Sequence, residues 1–266
     1  METQLDMISI NGSIYNLFAI DIGNSAIKLY GNDKLLRFSY RSPWENDLDI
    51  VLAGLSSRLC LFVVSSVNKE KSDIFETIIN KYSNFRIIKA NELIPKQSLI
   101  DVSKLQGIGN DRILGLIGAK FYAEPPILTI DCGTATTINL LNEKNECLGG
   151  AILPGIFTQF RSLTENTSAL KKIKLKQVSE HFGKNTNDAI SSGIINGTIA
   201  VIKDFINQAK IELGQSNINI FLTGGNSIWV TEQLTKLYPN LQHKYTLVLD
   251  GLKFLTTKYF NIGDYE

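Results

Sequence analysis

The chain has 266 residues, 44% hydrophobic and 20% charged, with 27 lysines and arginines against 26 aspartates and glutamates, a net charge of +1. This balance supports a sizeable buried core without staples. It excludes a disordered polyelectrolyte and a strongly basic nucleic-acid binder, while leaving room for a local site for a phosphorylated ligand.

The elements follow in chain order. Residues 1–10 carry Glu2 and Asp6 and no basic stretch, so no signal peptide is expected. Leu17 to Ile22 and Ala26 to Tyr30 read as strands joined by a tight turn at Gly23-Asn24, with a third strand from Leu35 to Tyr40. A helix over Asp47 to Ser57, a buried strand over Leu59 to Val64, a helix over Lys71 to Tyr82 and a strand over Phe85 to Ile88 complete a β-α-β alternation. That alternation indicates an α/β sheet. A helix is expected over Asp111 to Tyr122, ahead of Ala123-Glu124-Pro125-Pro126, where two prolines mark the best domain boundary. The domains expected are therefore 1–124 and 125–266.

The second half starts again with strands over Ile127 to Asp131 and Thr136 to Leu141 around a turn at Gly133. Thr186 to Leu213 reads as a long helix, with Ile190, Ile194, Ile195, Ile199, Ile202, Phe205, Ile206 and Ala209 forming an apolar stripe and Gly214 a C-terminal stop. A strand over Ile218 to Leu222 runs into Thr223-Gly224-Gly225-Asn226, followed by helices over Ser227 to Leu237 and Gly251 to Phe260. No apolar run approaches the ~20 residues of a membrane helix. The expectation is a cytoplasmic protein with no membrane and no nucleic-acid partner.

Phe18 to Ser25 and Leu128 to Ala135 echo one another: an apolar strand, Asp-x-Gly, a small polar residue, then a second strand. A repeat on this scale implies two similar halves. Glycine allows a tight turn whose consecutive N–H groups form an anion-binding nest. Ser25, Thr134, Thr136 and Thr137 add hydroxyls, and Asp21 and Asp131 at the strand ends suit a cation beside phosphate. Either turn alone could be an ordinary hairpin. Two in matching contexts, with the Thr223-Gly224-Gly225 turn, favour a polyphosphate ligand. The chain has no Gly-x-x-x-x-Gly-Lys-Ser/Thr loop and no Gly-x-Gly-x-x-Gly. The cysteines Cys60, Cys132 and Cys147 and the histidines His181 and His243 have no disulfide or metal-ligand spacing. Neither histidine is assigned a role, and Lys171 to Lys176 reads as a solvated basic run.

Several blocks, in this order, resemble the type III pantothenate kinase family, within the superfamily of acetate and sugar kinases, heat-shock ATPases and actin. Asp21-Ile22-Gly23-Asn24-Ser25-Ala26-Ile27-Lys28 resembles the family's first phosphate motif. Gly109-Asn110-Asp111-Arg112 resembles its Gly-x-Asp-Arg motif, and Asp131 to Thr136 its second phosphate motif. Gly149 to Gly155, Thr167 to Leu170, Asn185-Thr186 and Thr223 to Gly225 complete the series.

The resemblance implies two similar actin-like (ribonuclease H-like) α/β halves facing across a nucleotide cleft. It implies ATP-dependent phosphorylation of pantothenate to 4'-phosphopantothenate, the first step of coenzyme A biosynthesis. It further implies magnesium, a monovalent cation (potassium or ammonium), and a homodimer with pantothenate near the subunit interface. By the same resemblance Asp111 is the general base, and Gly109, Asn110, Asp111, Arg112 and Thr186 bind substrate. Asp21, Ile22, Gly23, Asn24, Ser25, Ala26, Ile27, Lys28 and Thr134 bind ATP, and Asp131 holds the monovalent cation. Asp111 also suits a helix N-cap, Arg112 a surface ion pair, Lys28 a solvated strand position and Thr186 a cap or first-turn residue. The family's tyrosine about nine residues before the base falls near Val102, and Asn139 stands where an aspartate often follows the second motif. The competing readings are a kinase of another small hydroxyl substrate and a nucleotide-binding regulator without turnover.

Overall fold

A computed structural model describes residues 6–165, 170, 173–177 and 180–263. Of the blocks above, residues 167–169, and residues 171 and 172 of the basic run, lie outside these. Two compact units form: Met1–Ile100 with Gly107–Phe121 and Thr246–Glu266, and Asp101–Gln106 with Tyr122–Tyr245.

In the first unit, β1 (Met7–Ile10), β2 (Ser13–Ile22), β3 (Ala26–Gly31) and β4 (Lys34–Ser39) pair antiparallel in succession. After helix α1 (Trp44–Ala53), β5 (Cys60–Ser66) returns parallel to β2. Helix α2 (Lys69–Ile79) then leads to β6 (Phe85–Lys89), parallel to β5. Strand order is β4-β3-β2-β5-β6. The β3–β4 turn is two residues, Asn32 and Asp33, both with positive φ (51° and 57°), as a tight hairpin turn requires.

Side chains alternate across a strand. Phe18, Ile20 and Ile22 of β2, with Cys60, Phe62 and Val64 of β5, enter a core completed by Trp44, Leu48 and Leu52 of α1 and Phe75, Ile78 and Ile79 of α2. The alternate residues Leu17, Ala19 and Asp21 point to the opposite face. There α3 (Ala90–Leu93) packs on β5 and α8 (Leu247–Gly263) on β2 and β5, and α4 (Asn110–Tyr122) meets α8. The sequence boundary after residue 124 assigns that last helix to the second half. Its buried Leu249, Leu252 and Leu255 belong to the first unit.

Helices α4 and α8 cross closely because glycines meet there. A Cβ on Gly118 would lie 1.9 Å from the Leu247 carbonyl oxygen, and one on Gly251 would lie 2.0 Å from that of Leu114. Neither backbone oxygen can swing aside. Gly118→Ala is therefore expected to lower stability by about 1–3 kcal/mol, the usual cost of overpacking, read as a lower unfolding midpoint.

The second unit repeats the topology. β7 (Ile127–Cys132), β8 (Ala135–Leu141) and β9 (Cys147–Pro154) form an antiparallel meander. After α5 (Ile156–Glu165) and α6 (Thr186–Leu213), β10 (Asn219–Thr223) lies parallel to β7. Helix α7 (Ile228–Leu237) leads to β11 (Leu241–His243), parallel to β10. The order β11-β10-β7-β8-β9 matches β6-β5-β2-β3-β4 of the first unit, which adds β1 beside β2. This agreement gives the internal sequence echo its structural meaning and fits the actin-like α/β class.

Among the described residues α6 is the one helix long and apolar enough, by length and composition, to cross a membrane, contrary to the sequence expectation. Its Ile194, Ile195, Ile199, Ile202 and Ile206 are instead buried against Leu128, Ile130 and Ile138. Asn185 caps its start, accepting from the Asp188 amide at 3.0 Å, and Gly214 closes its end at φ 65°.

Candidate active site

One Asp-x-Gly motif lies at the end of β2 and the other at the end of β7. Asp21 pairs with Lys28 across the β2–β3 ladder, and their side chains form a salt bridge at 3.0 Å. Lys28 is thus a partner of the motif aspartate rather than a solvated strand residue. Asp131 is flanked by Thr137 on β8 and Thr223 on β10.

The turns differ by one residue. Pairing resumes at Ile27 opposite Ile22 in the first, and at Thr136 opposite Cys132 in the second. Each is closed by its glycine amide, Gly23 to the Ala26 carbonyl at 3.1 Å and Gly133 to the Ala135 carbonyl at 2.9 Å.

The carbonyls of both turns are tied into the protein. In the first, Val67 N donates to Ile22 O at 3.1 Å and Tyr40 N to Ser25 O at 3.2 Å. The Tyr40 hydroxyl donates to Gly23 O at 3.0 Å. Burial, with the Asp21 charge adding to it, pushes the Tyr40 phenol up to about 12, so it remains a donor at neutral pH. In the second turn, Asn226 donates from its backbone to Cys132 O and from its side chain to Gly133 O, both at 2.8 Å. Thr134 O accepts from Gly155 N at 2.9 Å and from the Thr158 hydroxyl at 2.6 Å.

With these carbonyls fixed inward, the amides of Asn24, Ser25 and Thr134 have no protein acceptor among the described residues. They are the donors an anion nest needs. Gly155 and Gly224 make the second turn possible. A Cβ on Gly155 would sit 2.2 Å from Gly133 O, and one on Gly224, at φ 93°, would sit 2.3 Å from Asp131 Oδ1.

The third motif opens α4. Gly109 O accepts from Arg112 N at 3.1 Å and Ile113 N at 3.2 Å, so Gly109 occupies the cap position. Asp111 lies in the first helical turn rather than at the cap, where a carboxylate is favoured by the helix dipole. A Cβ on Gly109 would come 2.5 Å from Asp111 Oδ1, so the carboxylate folds back over the bare glycine. Thr186 is the first residue of α6, and Asn185, not Thr186, is its cap.

One sequence reading is corrected here. Thr136 shares a strand face with Ile138 and is wholly buried, so its hydroxyl is no ligand donor. Cys132 is buried in the same core, and its thiol is pushed up to about 12 by burial and the Asp131 charge, which leaves it unreactive. The residues that sequence reasoning missed are the ties themselves: Tyr40, Asn226, Thr158, and Ser227 with His243.

A family model described as type III pantothenate kinase matches residues 17–208. The chain belongs to the type III pantothenate kinase family. Membership makes it an enzyme, an ATP-dependent kinase of pantothenate acting in coenzyme A biosynthesis. A relative named type III pantothenate kinase, from Sulfurihydrogenibium sp. (strain YO3AOP1), is 29% identical over 254 residues, covering 90% of this chain and 98% of its own. Another of that name, from Kosmotoga olearia, is 38% identical over 165 residues, 62% of each chain. A solved structure from Campylobacter jejuni, described as a Baf family transcriptional activator, shares the fold. It is 22% identical, covers 92% of this chain and 99% of its own, and has a TM-score of 0.57.

Proposed function

We propose that the chain transfers the γ-phosphoryl group of ATP to the primary hydroxyl of pantothenate, with Asp111 as general base. The observation that carries this reading is the Asp111 carboxylate, held at the first turn of α4 over Gly109. An alkanol is too weakly acidic to ionise beforehand. A carboxylate in hydrogen-bond reach orients it and takes its proton as the new P–O bond forms. The bond from the γ-phosphorus to the β,γ-bridging oxygen breaks, and ADP leaves with that electron pair.

Asp21 to Lys28, through the Gly23-Asn24-Ser25 turn, and Thr134 bind ATP phosphates with amides whose neighbouring carbonyls are tied back. Preorganised donors of this kind cost no reorganisation during transfer. Arg112 suits the pantothenate carboxylate through its guanidinium fork. Gly109, Asn110 and Thr186 complete the substrate contacts. Magnesium enters with ATP and neutralises phosphate charge. Asp131 fits a monovalent cation, because its oxygen is a hard donor and abuts Gly224, where a Cβ would fill the space.

The chain acts as a cytoplasmic homodimer in this reading. The test is ADP release from magnesium-ATP across a panel of hydroxyl acceptors, in potassium and then in sodium buffer. Release dependent on pantothenate and potassium is expected. Release with a sugar and not with pantothenate would replace the acceptor, and equal rates in sodium would remove the cation from Asp131.

A further inference from the structure

His243 ends β11, beside the turn that follows β10. It contacts one polar group of that turn, the Ser227 hydroxyl, at 2.7 Å from Nε2. The Ser227 hydroxyl also lies 2.6 Å from the Gly224 carbonyl oxygen, and Ser227 is wholly buried.

A hydroxyl has one proton to give. A carbonyl can only accept, so that proton goes to Gly224 O. His243 must therefore donate Nε2–H to Ser227 Oγ, which fixes the imidazole tautomer. Gly224 in turn rests against Asp131 Oδ1 and the Cys132 backbone, with no room for a Cβ between them. Two residues on, Asn226 ties the Cys132 and Gly133 carbonyls. A single donor chain thus runs from the imidazole to the backbone that seats the second phosphate turn.

We infer that His243 is a positioning residue for ATP binding, acting through Ser227 to hold the Gly224–Asn226 turn against the Asp131–Thr134 turn. The inference rests on reading the latter as an ATP-phosphate site. His243 touches no phosphate itself. Its ring is half-buried and lies 4.1 Å, centroid to centroid, from that of Tyr245, which limits its rotation. Burial also holds its pKa below the usual histidine value, so the ring is neutral at pH 7 and the fixed tautomer matters. Nothing in the spacing of the sequence marks His243, because the connection crosses the whole of α7.

The full-length protein tests this with His243→Leu, His243→Gln, Ser227→Ala and the Leu/Ala double variant. ATP affinity is read directly by calorimetry without pantothenate, and ATP KM and kcat by steady-state assay. Loss of one net hydrogen bond predicts an ATP Kd and KM about three- to tenfold higher in His243→Leu, with kcat nearly unchanged. Glutamine places an amide nitrogen where the imidazole Nε2 sits, so His243→Gln should recover most of that loss. The double variant should bind ATP no more weakly than Ser227→Ala, since both changes cut one chain.

Wild-type ATP affinity in His243→Leu, a glutamine variant as weak as leucine, or additive losses in the double variant would each overturn the inference. Should His243→Leu fail to fold, Ser227→Ala decides, and unchanged affinity there has the same consequence. An Asp131→Asn control separates the two levels. If it too leaves ATP affinity unchanged, the phosphate-site reading falls and this inference with it. If Asp131→Asn weakens ATP and the His243 variants do not, only the role of His243 is overturned.

Discussion

Asp111→Asn is expected to lower kcat by about 10²–10⁴-fold, the usual contribution of a positioned general base. The substitution keeps the side chain's size and its place over Gly109, but the amide cannot accept the proton. ATP affinity should therefore stay close to wild type, because the phosphate turns are untouched. The unfolding midpoint should also hold, since Gly109 O already receives the amides of Arg112 and Ile113 without help from the side chain. Steady-state kinetics, ATP calorimetry and thermal unfolding read the three quantities on one sample. A variant that turns over near the wild-type rate would show that proton transfer goes elsewhere, and Asp111 would then be only a first-turn carboxylate.

Lys253→Met is expected to give the largest loss of stability. Lys253 of α8 and Asp6, just before β1, form a buried ion pair, their side chains 4% and 8% exposed. Asp6 Oδ1 also accepts from the Asn32 amide at 2.9 Å, and Lys253 lies 4.8 Å over the Tyr30 ring. Removing the ammonium strands a buried carboxylate. Breaking such a pair from one side costs about 3–5 kcal/mol. In a chain of this size the midpoint should fall on the order of 10 °C. Asp6→Leu together with Lys253→Met should be less harmful than Lys253→Met alone, because no charge is then left unpaired. Equal losses in the single and double variants would mean that the pair serves as packing volume rather than as a charge pair.

Most of the two sheets is legible in the sequence, because their central strands are short apolar runs bounded by turns. The strand over Leu17 to Ile22 lies within β2, and the helix over Thr186 to Leu213 coincides with α6. The elements that escape have weak local signals. β9, Cys147–Pro154, holds two glycines and ends on proline, so it reads as loop until β8 pairs with it. β11 is three residues long and exists through pairing with β10. The C-terminal helix is readable as a helix, but its place in the first unit is not. That depends on the close crossing of Gly118 and Gly251, which are distant in the chain.

The site divides the same way. The Asp-x-Gly turns and the Gly-x-Asp-Arg motif are local, so sequence reveals them. What holds them is not local: Tyr40 reaches Gly23 across 17 residues, and Asn226 reaches Gly133 across 93. Neither tie leaves a spacing that a motif search would register. Thr136 shows the converse error. Its residue type suits a phosphate turn, but strand alternation directs it into the core.

The most direct test of the account is the identity of the phosphorylated product. Purified protein would be incubated with magnesium-ATP and pantothenate in potassium buffer, and the phosphorus located by nuclear magnetic resonance and mass spectrometry. A phosphate monoester on the primary hydroxyl of pantothenate, formed by the wild type and lost in Asp111→Asn, is the predicted result. ADP and free inorganic phosphate with pantothenate unchanged would contradict it, leaving a nucleotide-hydrolysing protein whose acceptor is water.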